Sequence, residues 1–200
     1  MGLSGQDISC TRGGRAVFTG ISFNVEAGEA LAITGANGAG KSSLLRILAG
    51  LLPLAEGRLH YNESAPELTL PEQAHYLGHR DPFKPALSVR ENLTFWQRYL
   101  GGPSGDIEHS LDLAGLGTIS HLPAGYLSAG QKRRLSIARL IAVKRPIWLL
   151  DEPATALDAA GQSAFIAIMQ SHLDGGGLIA AATHVPLGIT ARELRLGARA

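Results

Sequence analysis

A glycine-rich stretch near the start of the chain, residues 35–42, has the residue types and the spacing of a phosphate-binding loop. Glycines let successive backbone N–H groups turn inward and form a concave site for an anion. The Lys41 ammonium would reach the β- and γ-phosphates of a nucleotide, and the Ser42 hydroxyl would be a ligand for Mg²⁺. The sequence therefore predicts a nucleoside triphosphate site made of Gly35, Ala36, Asn37, Gly38, Ala39, Gly40, Lys41, Ser42 and Ser43.

The residues on either side of this stretch predict the elements that would position it. The apolar run at residues 30–34 indicates a buried strand before the loop. After the loop, leucines at helical spacing predict a helix that ends near Gly50 and Pro53. The positive end of that helix would add to the attraction for phosphate. A chance glycine-rich turn is the alternative, and the flanking elements argue against it. The leucines in question are Leu44, Leu45, Leu48 and Leu52.

Two neighbouring acids, Asp151 and Glu152, end a second apolar run at residues 146–153. Burying carboxylates is unfavourable unless they have partners, and ligands of doubly wound sheets gather at the carboxyl ends of the strands. We therefore predict that Asp151 contacts Mg²⁺ and that Glu152 points towards the γ-phosphate and orients a water molecule. The alternative is an acid pair that only caps the following turn.

The remaining pattern predicts a mixed α/β chain. Short alternating segments between residues 7 and 25, joined by a turn at Gly13-Gly14, indicate antiparallel strands at the N-terminus. Residues 85–130 are predominantly helical in pattern, with Ser88 and Glu91 in the spacing of a capping box. An apolar run at residues 178–183 predicts another buried strand, which His184 follows.

Composition limits the classes of function. Hydrophobic residues at 45% and charged residues at 18% are typical of a globular domain. A net charge of +1 argues against nucleic acid as the main partner, because phosphate backbones need a basic surface. The single cysteine, Cys10, cannot form an intrachain disulfide and suits a reducing cytosol. There is no signal-peptide pattern and no apolar run of about 20 residues, so we expect a soluble protein that would meet a membrane only through a partner.

Five motifs in a fixed order give the chain a family resemblance. The phosphate loop is followed by Leu127-Ser128-Ala129-Gly130-Gln131, the Asp151-Glu152 pair, Ala156-Leu157-Asp158 and the later His184. Together they resemble the ATP-binding subunits of ABC transporters, and the resemblance covers essentially the whole chain. It implies the P-loop nucleoside triphosphate hydrolase fold of an ABC ATPase, an α/β fold with an N-terminal antiparallel β subdomain. It also implies one ATP-binding domain over residues 1–200, with the helical insertion at about 85–130, and ATP and Mg²⁺ as its ligands.

The resemblance also implies roles for single residues. Members of the family hydrolyse ATP as head-to-tail pairs with two nucleotides between the copies. Glu152, His184 and Lys41 would be catalytic, with His184 stabilising charge on the γ-phosphate. Asp158 would link the two sites. The residues that would contact ATP bound to the opposite copy are Ser128, Ala129, Gly130 and Gln131.

Three residues depart from the family pattern. Ala129 stands where glycine is usual, which is tolerable if its φ is negative. His79 stands where glutamine is usual, and since Mg²⁺ prefers oxygen ligands we hypothesise that His79 contacts the attacking water or the membrane partner. Unchanged ATPase rate and coupling in a His79→Gln variant would contradict this. Arg12 lies near the usual place of an aromatic that stacks on adenine, and its guanidinium could stack there instead. Unaltered ATP affinity in Arg12→Ala would remove that role.

A narrower resemblance involves residues 76–79, 127–134 and 182–187. These segments are similar to the ATP-binding subunits of haem-exporter-type complexes in cytochrome c biogenesis. The similarity implies integral-membrane partner subunits, a peripheral location at the cytoplasmic face of the bacterial inner membrane, and release of a haem-loaded chaperone driven by ATP. No direct haem binding is expected. Two alternatives stay open, namely the ATPase of a drug or lipoprotein exporter and a soluble ABC ATPase without a transport role.

Overall fold

The structure is a computed structural model that describes residues 2–62, 67–80, 82–101 and 105–197. The chain forms two compact units. The first contains Met1–Tyr76, Pro146–Pro153 and Gln170–Ala200, and the second contains Leu77–Arg145 and Ala154–Met169. The helical pattern at about 85–130 falls within the second unit, while the extent of the ATP-binding domain, residues 1–200, stays a prediction.

An antiparallel sheet begins the first unit. Strands β1 (Gly2–Arg12), β2 (Arg15–Glu26) and β4 (Glu56–Asn62) lie in the order β2-β1-β4, with β1 in the centre. The pair β1–β2 is a hairpin closed at Gly13-Gly14, where Arg12 opposes Arg15. The predicted N-terminal antiparallel β subdomain is confirmed, and its strands extend further towards the N-terminus than the alternating pattern indicated.

A second sheet of five strands carries the remaining extended segments. They are β3 (Ala30–Thr34), β5 (Ala74–Leu77), β6 (Ile147–Asp151), β7 (Leu178–Ala182) and β8 (Arg192–Arg195), in the order β5-β6-β7-β3-β8. The pairs β3–β7, β3–β8 and β6–β7 are parallel. Every residue of β6 and β7 is buried, which explains why both read as unbroken apolar runs rather than as alternating ones.

Helix α1 (Lys41–Leu48) follows the phosphate-loop segment and packs its leucines into the core of the first unit. Leu44 and Leu45 are fully buried there beside Ile33 of β3. The prediction that Leu52 continues this helix is wrong. The helix ends at Leu48 because the chain adopts a left-handed φ of 69° at Gly50, and Leu52 packs on the core from the following loop.

The second unit is helical. It contains α2 (Val89–Leu100), α3 (Ile107–Leu113), α4 (Ala129–Ala142) and the first part of α5 (Ala159–Asp174). Within the residues that the structure describes, no helix has the length and hydropathy that crossing a bilayer requires. The core of this unit includes Val89, Leu93, Leu111, Leu116, Leu135 and Ala138.

Candidate functional site

The phosphate-loop segment connects β3 to α1, and two of its glycines are required by close approaches. Gly35 has φ 135°, and a side chain there would collide with the carbonyl oxygen of Leu196. Gly40 has φ 99°, and a Cβ atom there would lie 2.7 Å from atoms of Val17 and Phe18. The backbone can therefore follow this path only without side chains at these two positions.

Lys41 is the first residue of α1 and is 8% exposed. Its Nζ donates hydrogen bonds to the carbonyl oxygens of Gly35, at 2.9 Å, and Ala36, at 3.1 Å, so the ammonium group is held over the loop. The first N–H groups of a helix have no acceptor within the helix, and α1 has no acidic residue in its first turn. A positive side chain and a positive helix end thus meet at the same loop.

The two predicted metal ligands lie side by side. Ser42 Oγ donates a hydrogen bond of 2.9 Å to Oδ1 of Asp151, which is 1% exposed at the end of β6. The described residues contain no group of three or more His, Cys, Asp or Glu side chains that could hold a metal ion. One hydroxyl and one carboxylate suit Mg²⁺, which binds one or two protein oxygens and takes its remaining ligands from phosphates and water. The donor set therefore fits the predicted ion.

Tyr76 and Arg46 extend this arrangement, and the sequence patterns did not single them out for it. The hydroxyl of Tyr76 donates to Oδ2 of Asp151 at 3.4 Å, and Nε of Arg46 donates to the same hydroxyl at 3.4 Å. The Tyr76 phenol is a proton donor at neutral pH, and burial raises its pKa further above its usual value. No local pattern could have revealed a contact between residues 75 positions apart.

Glu152 and His184 are brought together although they belong to different segments. Glu152 leaves β6 with φ 48°, its amide donates to the Ala182 carbonyl at 2.9 Å, and its Oε1 lies 3.4 Å from Nε2 of His184. Thr183 fixes the turn that presents the histidine, because its Oγ1 donates to the Val185 carbonyl and accepts from the Val185 amide. A left-handed φ at a residue other than glycine is a strained conformation of the kind often found at functional sites.

The predicted contacts to the opposite copy lie in the second unit. Ser128 caps α4, where its Oγ accepts from the amide of Gln131 and its own amide donates to Oε1 of Gln131. Ala129 is the first residue of α4 and is not among the described residues with positive φ, so its methyl group is tolerated as required. Asp158 precedes α5 and accepts a 2.9 Å hydrogen bond from the amide of Gly161. The roles of these residues towards ATP stay predictions.

The positions of His79 and Arg12 do not test the roles predicted for them. His79 is exposed in the bend after β5, close in the chain to Gly78, whose carbonyl accepts a 2.8 Å hydrogen bond from the buried Arg133. Arg12 ends β1 and is exposed beside the hairpin turn. The roles proposed for these two residues stay predictions.

Comparisons with known proteins agree with one another. A family model described as ABC transporter matches residues 18–155. Curated proteins named cytochrome c biogenesis ATP-binding export protein CcmA from Nitrobacter winogradskyi and from Rhodopseudomonas palustris are 64% and 62% identical, over the full length of both chains in each case. The structure of an ABC transporter ATP-binding protein from Pyrococcus furiosus superposes with a TM-score of 0.85 at 21% identity and covers 98% of each chain, which shows the fold.

Proposed function

The chain belongs to the ABC transporter family and, within it, to the cytochrome c biogenesis ATP-binding export proteins named CcmA, and on that premise we propose that it hydrolyses ATP to drive a membrane complex of cytochrome c biogenesis. Its reaction is the attack of water on the γ-phosphorus of ATP, in which the bond to the β–γ bridging oxygen breaks and ADP and phosphate leave. The fold and the family support this activity, and the arrangement of side chains in the first unit supports the roles given below.

One observation carries the assignment, namely that two consecutive acids face two different partners. Asp151 accepts from Ser42 at the phosphate loop, whereas Glu152 turns out of the strand towards His184. A pair that only capped a turn would not need one carboxylate at the loop serine and the other at a histidine from a different segment. The division suits a metal ligand and a water-orienting base placed next to each other.

The residues of this chain would act as follows. The loop amides and Lys41 bind the phosphates, and Ser42 with Asp151 would hold Mg²⁺, which when bound neutralises charge on the β- and γ-phosphate oxygens. Glu152 orients the water for in-line attack. His184, held beside Glu152 at 3.4 Å, donates a hydrogen bond to the γ-phosphate as charge develops on it.

The family premise also supports a set of partners. We expect a second copy of the chain, packed head-to-tail, to place residues 128–131 over the ATP of the first. We expect integral-membrane subunits to receive the closing movement at the cytoplasmic face of the inner membrane, and the complex to release a haem-loaded chaperone. Direct haem binding by this chain is not part of the proposal.

Replacing the water-orienting acid tests the enzymatic proposal. In the complex with its membrane subunits, Glu152→Gln should lower ATP turnover roughly a hundredfold or more, because the side chain can no longer accept a hydrogen bond as a carboxylate does. ATP should then accumulate in a trapped dimer, measured by size-exclusion chromatography with radiolabelled ATP. The exposed acid Glu67 in the same unit offers a control, and Glu67→Gln should turn over normally. Hydrolysis by Glu152→Gln at the parent rate contradicts the assigned role.

A cellular experiment separates cytochrome c biogenesis from other exporters. Deleting the gene should abolish c-type cytochromes, detected by haem staining of membrane fractions, and the intact gene should restore them. A Lys41→Ala variant should not restore them, because the phosphates would lose their cationic partner. Normal c-type cytochromes in the deletion strain would instead favour a drug or lipoprotein exporter.

A further inference from the structure

The loop before α5, residues 154–158, lies on the first turns of α4. A Cβ atom at Gly130, the second residue of α4, would lie 2.9 Å from the carbonyl oxygen of Ala156. Gly130 has no left-handed backbone conformation, so it is the approach of the loop that excludes a side chain there. The middle of the loop is therefore in contact with the helix that begins with the capping residue Ser128.

The end of the loop is attached to the same helix one turn later. Arg134 is four residues after Gly130 and so lies on the same face of α4. Its Nη2 donates to Oδ1 of Asp158 at 2.5 Å. The same carboxylate accepts from the amide of Gly161, and the hydrogen bond from Arg134 lowers the pKa of the Asp158 carboxyl below its usual value. Asp158 thus joins α4 to the start of α5.

The loop has an unfavourable backbone conformation at the first of these attachments. Ala156 has φ 68°, which a residue with a Cβ rarely adopts and which persists only where the surroundings hold it. Gly161 leaves room for the attachment, because a side chain there would lie 2.8 Å from Oδ1 of Asp158 and 3.2 Å from Nε of Arg134. The contacts at Gly130 and Arg134 help to hold the loop in this form, together with hydrogen bonds from the Leu157 amide to the Ala154 carbonyl, at 3.2 Å, and from Nε2 of Gln162 to the Leu157 carbonyl, at 3.1 Å.

We propose that Arg134 is a positioning residue, which fixes the loop of residues 154–158 to α4 so that Asp158 and Ser128 are presented together to the second copy. The proposal rests on the proposed function, in which Ser128 lies over the ATP of the second copy, and on the role of Asp158 in linking the two sites. Arg134 acts in this proposal through the loop and Asp158, and not on the nucleotide directly. Its guanidinium is suited to this task because its donors are held in a rigid plane, whereas a lysine at this position could not keep the same geometry.

A simpler role for the same contact is an ion pair that stabilises the fold slightly. Asp158 has 65% of its side chain exposed, and exposed pairs contribute little to stability. That role predicts a small change in the melting temperature and none in the pairing of two copies. A positioning role predicts weaker pairing of the two copies, so pairing is the measurement that distinguishes the two roles.

The experiment uses the full chain in the Glu152→Gln background, which holds ATP. The dissociation constant of the ATP-bound dimer is measured by analytical ultracentrifugation for Arg134→Gln, for Asp158→Asn and for the double variant. Asparagine can still cap α5, so Asp158→Asn removes mainly the charge partner. We expect Arg134→Gln to raise the dissociation constant about tenfold and Asp158→Asn to raise it at least as much, because this variant also alters the carboxylate presented to the second copy. The double variant should raise it no further than Asp158→Asn, since the interaction with Arg134 is then already lost.

The matched control is another ion pair of the second unit. Arg90 contacts Glu108 between α2 and α3, with side chains 52% and 47% exposed, and Arg90→Gln should leave the dissociation constant unchanged. Thermal unfolding identifies any variant that fails to fold. Arg134→Lys keeps the charge and should weaken pairing to a degree between the parent and Arg134→Gln.

The inference about Arg134 would be overturned if Arg134→Gln paired at the parent dissociation constant or if the effects added in the double variant. Neither result would affect the proposed function. A parent protein that does not pair in ATP at all would overturn the proposed pairing and this inference with it.

Discussion

Asp151 and Glu152 show how a change of backbone conformation at one residue directs two identical functional groups to different partners. Asp151 is the last residue of β6 and keeps its carboxylate at the phosphate loop. Glu152 has φ 48°, and this left-handed step directs its carboxylate to His184. The contacts of Tyr76 on Asp151 and of Thr183 on the histidine turn support the two sides separately.

A substitution at Gly40 should separate backbone strain from steric collision. Gly14 also has a positive φ, 74°, but no atom lies within 4 Å of the place that a Cβ would take there, whereas a Cβ at Gly40 meets Val17 and Phe18 at 2.7 Å. Gly14→Ala should lower the free energy of unfolding by about 1 kcal/mol through strain alone. Gly40→Ala should lower it further and abolish ATP binding. Urea denaturation and fluorescent-nucleotide binding measure both, and equal losses in the two variants would contradict the collision.

His172 should make the stability of the chain depend on pH. Its ring stacks on Trp148 at 3.8 Å between centroids, and burial lowers its pKa from 6.5 to about 4. The unfolded chain therefore takes up a proton more readily than the folded chain, so stability is fully present above pH 6.5 and falls as the pH drops towards 4. The total loss attributable to this residue is on the order of 3 kcal/mol.

Replacing the ring tests this dependence. His172→Phe keeps an aromatic ring against Trp148 but cannot be protonated, so the difference in unfolding free energy between the two proteins should grow steadily from pH 7 to pH 4.5. Denaturant titrations at each pH measure it, and because other groups titrate equally in both proteins, the difference isolates His172. A constant difference across this range would show that the ring does not resist protonation.

At the scale of elements, α2 and α4 begin with the same capping arrangement but differ in charge. Both have a serine cap and a reciprocal side chain three residues later, which is Glu91 in α2 and Gln131 in α4. The acid adds a favourable negative charge at the start of α2. The neutral amide caps α4 equally well and leaves no acidic residue in its first turn. The positive end of α4 therefore stays available to an anionic ligand, as the proposed contact with phosphate requires.

Exchanging this amide for an acid should separate stability from function. Gln131→Glu keeps the capping geometry and should leave the free energy of unfolding unchanged or raise it by about 0.5 kcal/mol through the helix dipole. ATP turnover should nevertheless fall about tenfold, because a carboxylate would repel the γ-phosphate of the opposite copy. Parallel thermal unfolding and phosphate-release measurements test both halves. Unchanged turnover would argue against a phosphate contact at α4.

At the scale of the whole molecule, the parallel sheet explains why distant residues share one site. The strands β3, β7 and β6 are neighbours and run in the same direction, so their carboxyl ends meet at one edge. The phosphate loop follows β3, the histidine turn follows β7 and the acid pair closes β6. The position of β7 between the other two places His184 within reach of Glu152.

ATP binding at this edge should stabilise the chain mainly when Mg²⁺ is present. In the Glu152→Gln background, ATP with Mg²⁺ at a hundred times its dissociation constant should add about 2.7 kcal/mol to the free energy of unfolding. EDTA should remove most of this gain. Asp151→Asn should make the protein insensitive to EDTA, because the carboxylate that would bind the metal is already lost. Differential scanning fluorimetry measures the shifts. Equal stabilisation with and without the metal in the parent would contradict the assignment of Ser42 and Asp151.

Much of the fold follows from local patterns. Unbroken apolar runs predicted the buried strands β3, β6 and β7, and the serine–glutamate spacing predicted the start of α2 at Ser88. Gly50 was correctly predicted to mark the end of α1, but Leu52 was wrongly counted among its leucines, because apolar spacing continues to Leu52 whereas the backbone turns at Gly50. Periodicity records which residues are buried, but it does not record whether the buried residue lies on a helix or on the loop after it.

The sequence by itself determined the motifs, their order and the elements beside them, because phosphate binding, capping and burial each need particular residue types at short, fixed spacings. Only the tertiary structure decided which distant side chains meet. Tyr76 reaches Asp151 across 75 positions, and Arg134 reaches Asp158 across 24. Such contacts depend on strand order, helix packing and backbone conformation at single residues such as Glu152, and these arise from the balance of the whole fold rather than from any local pattern.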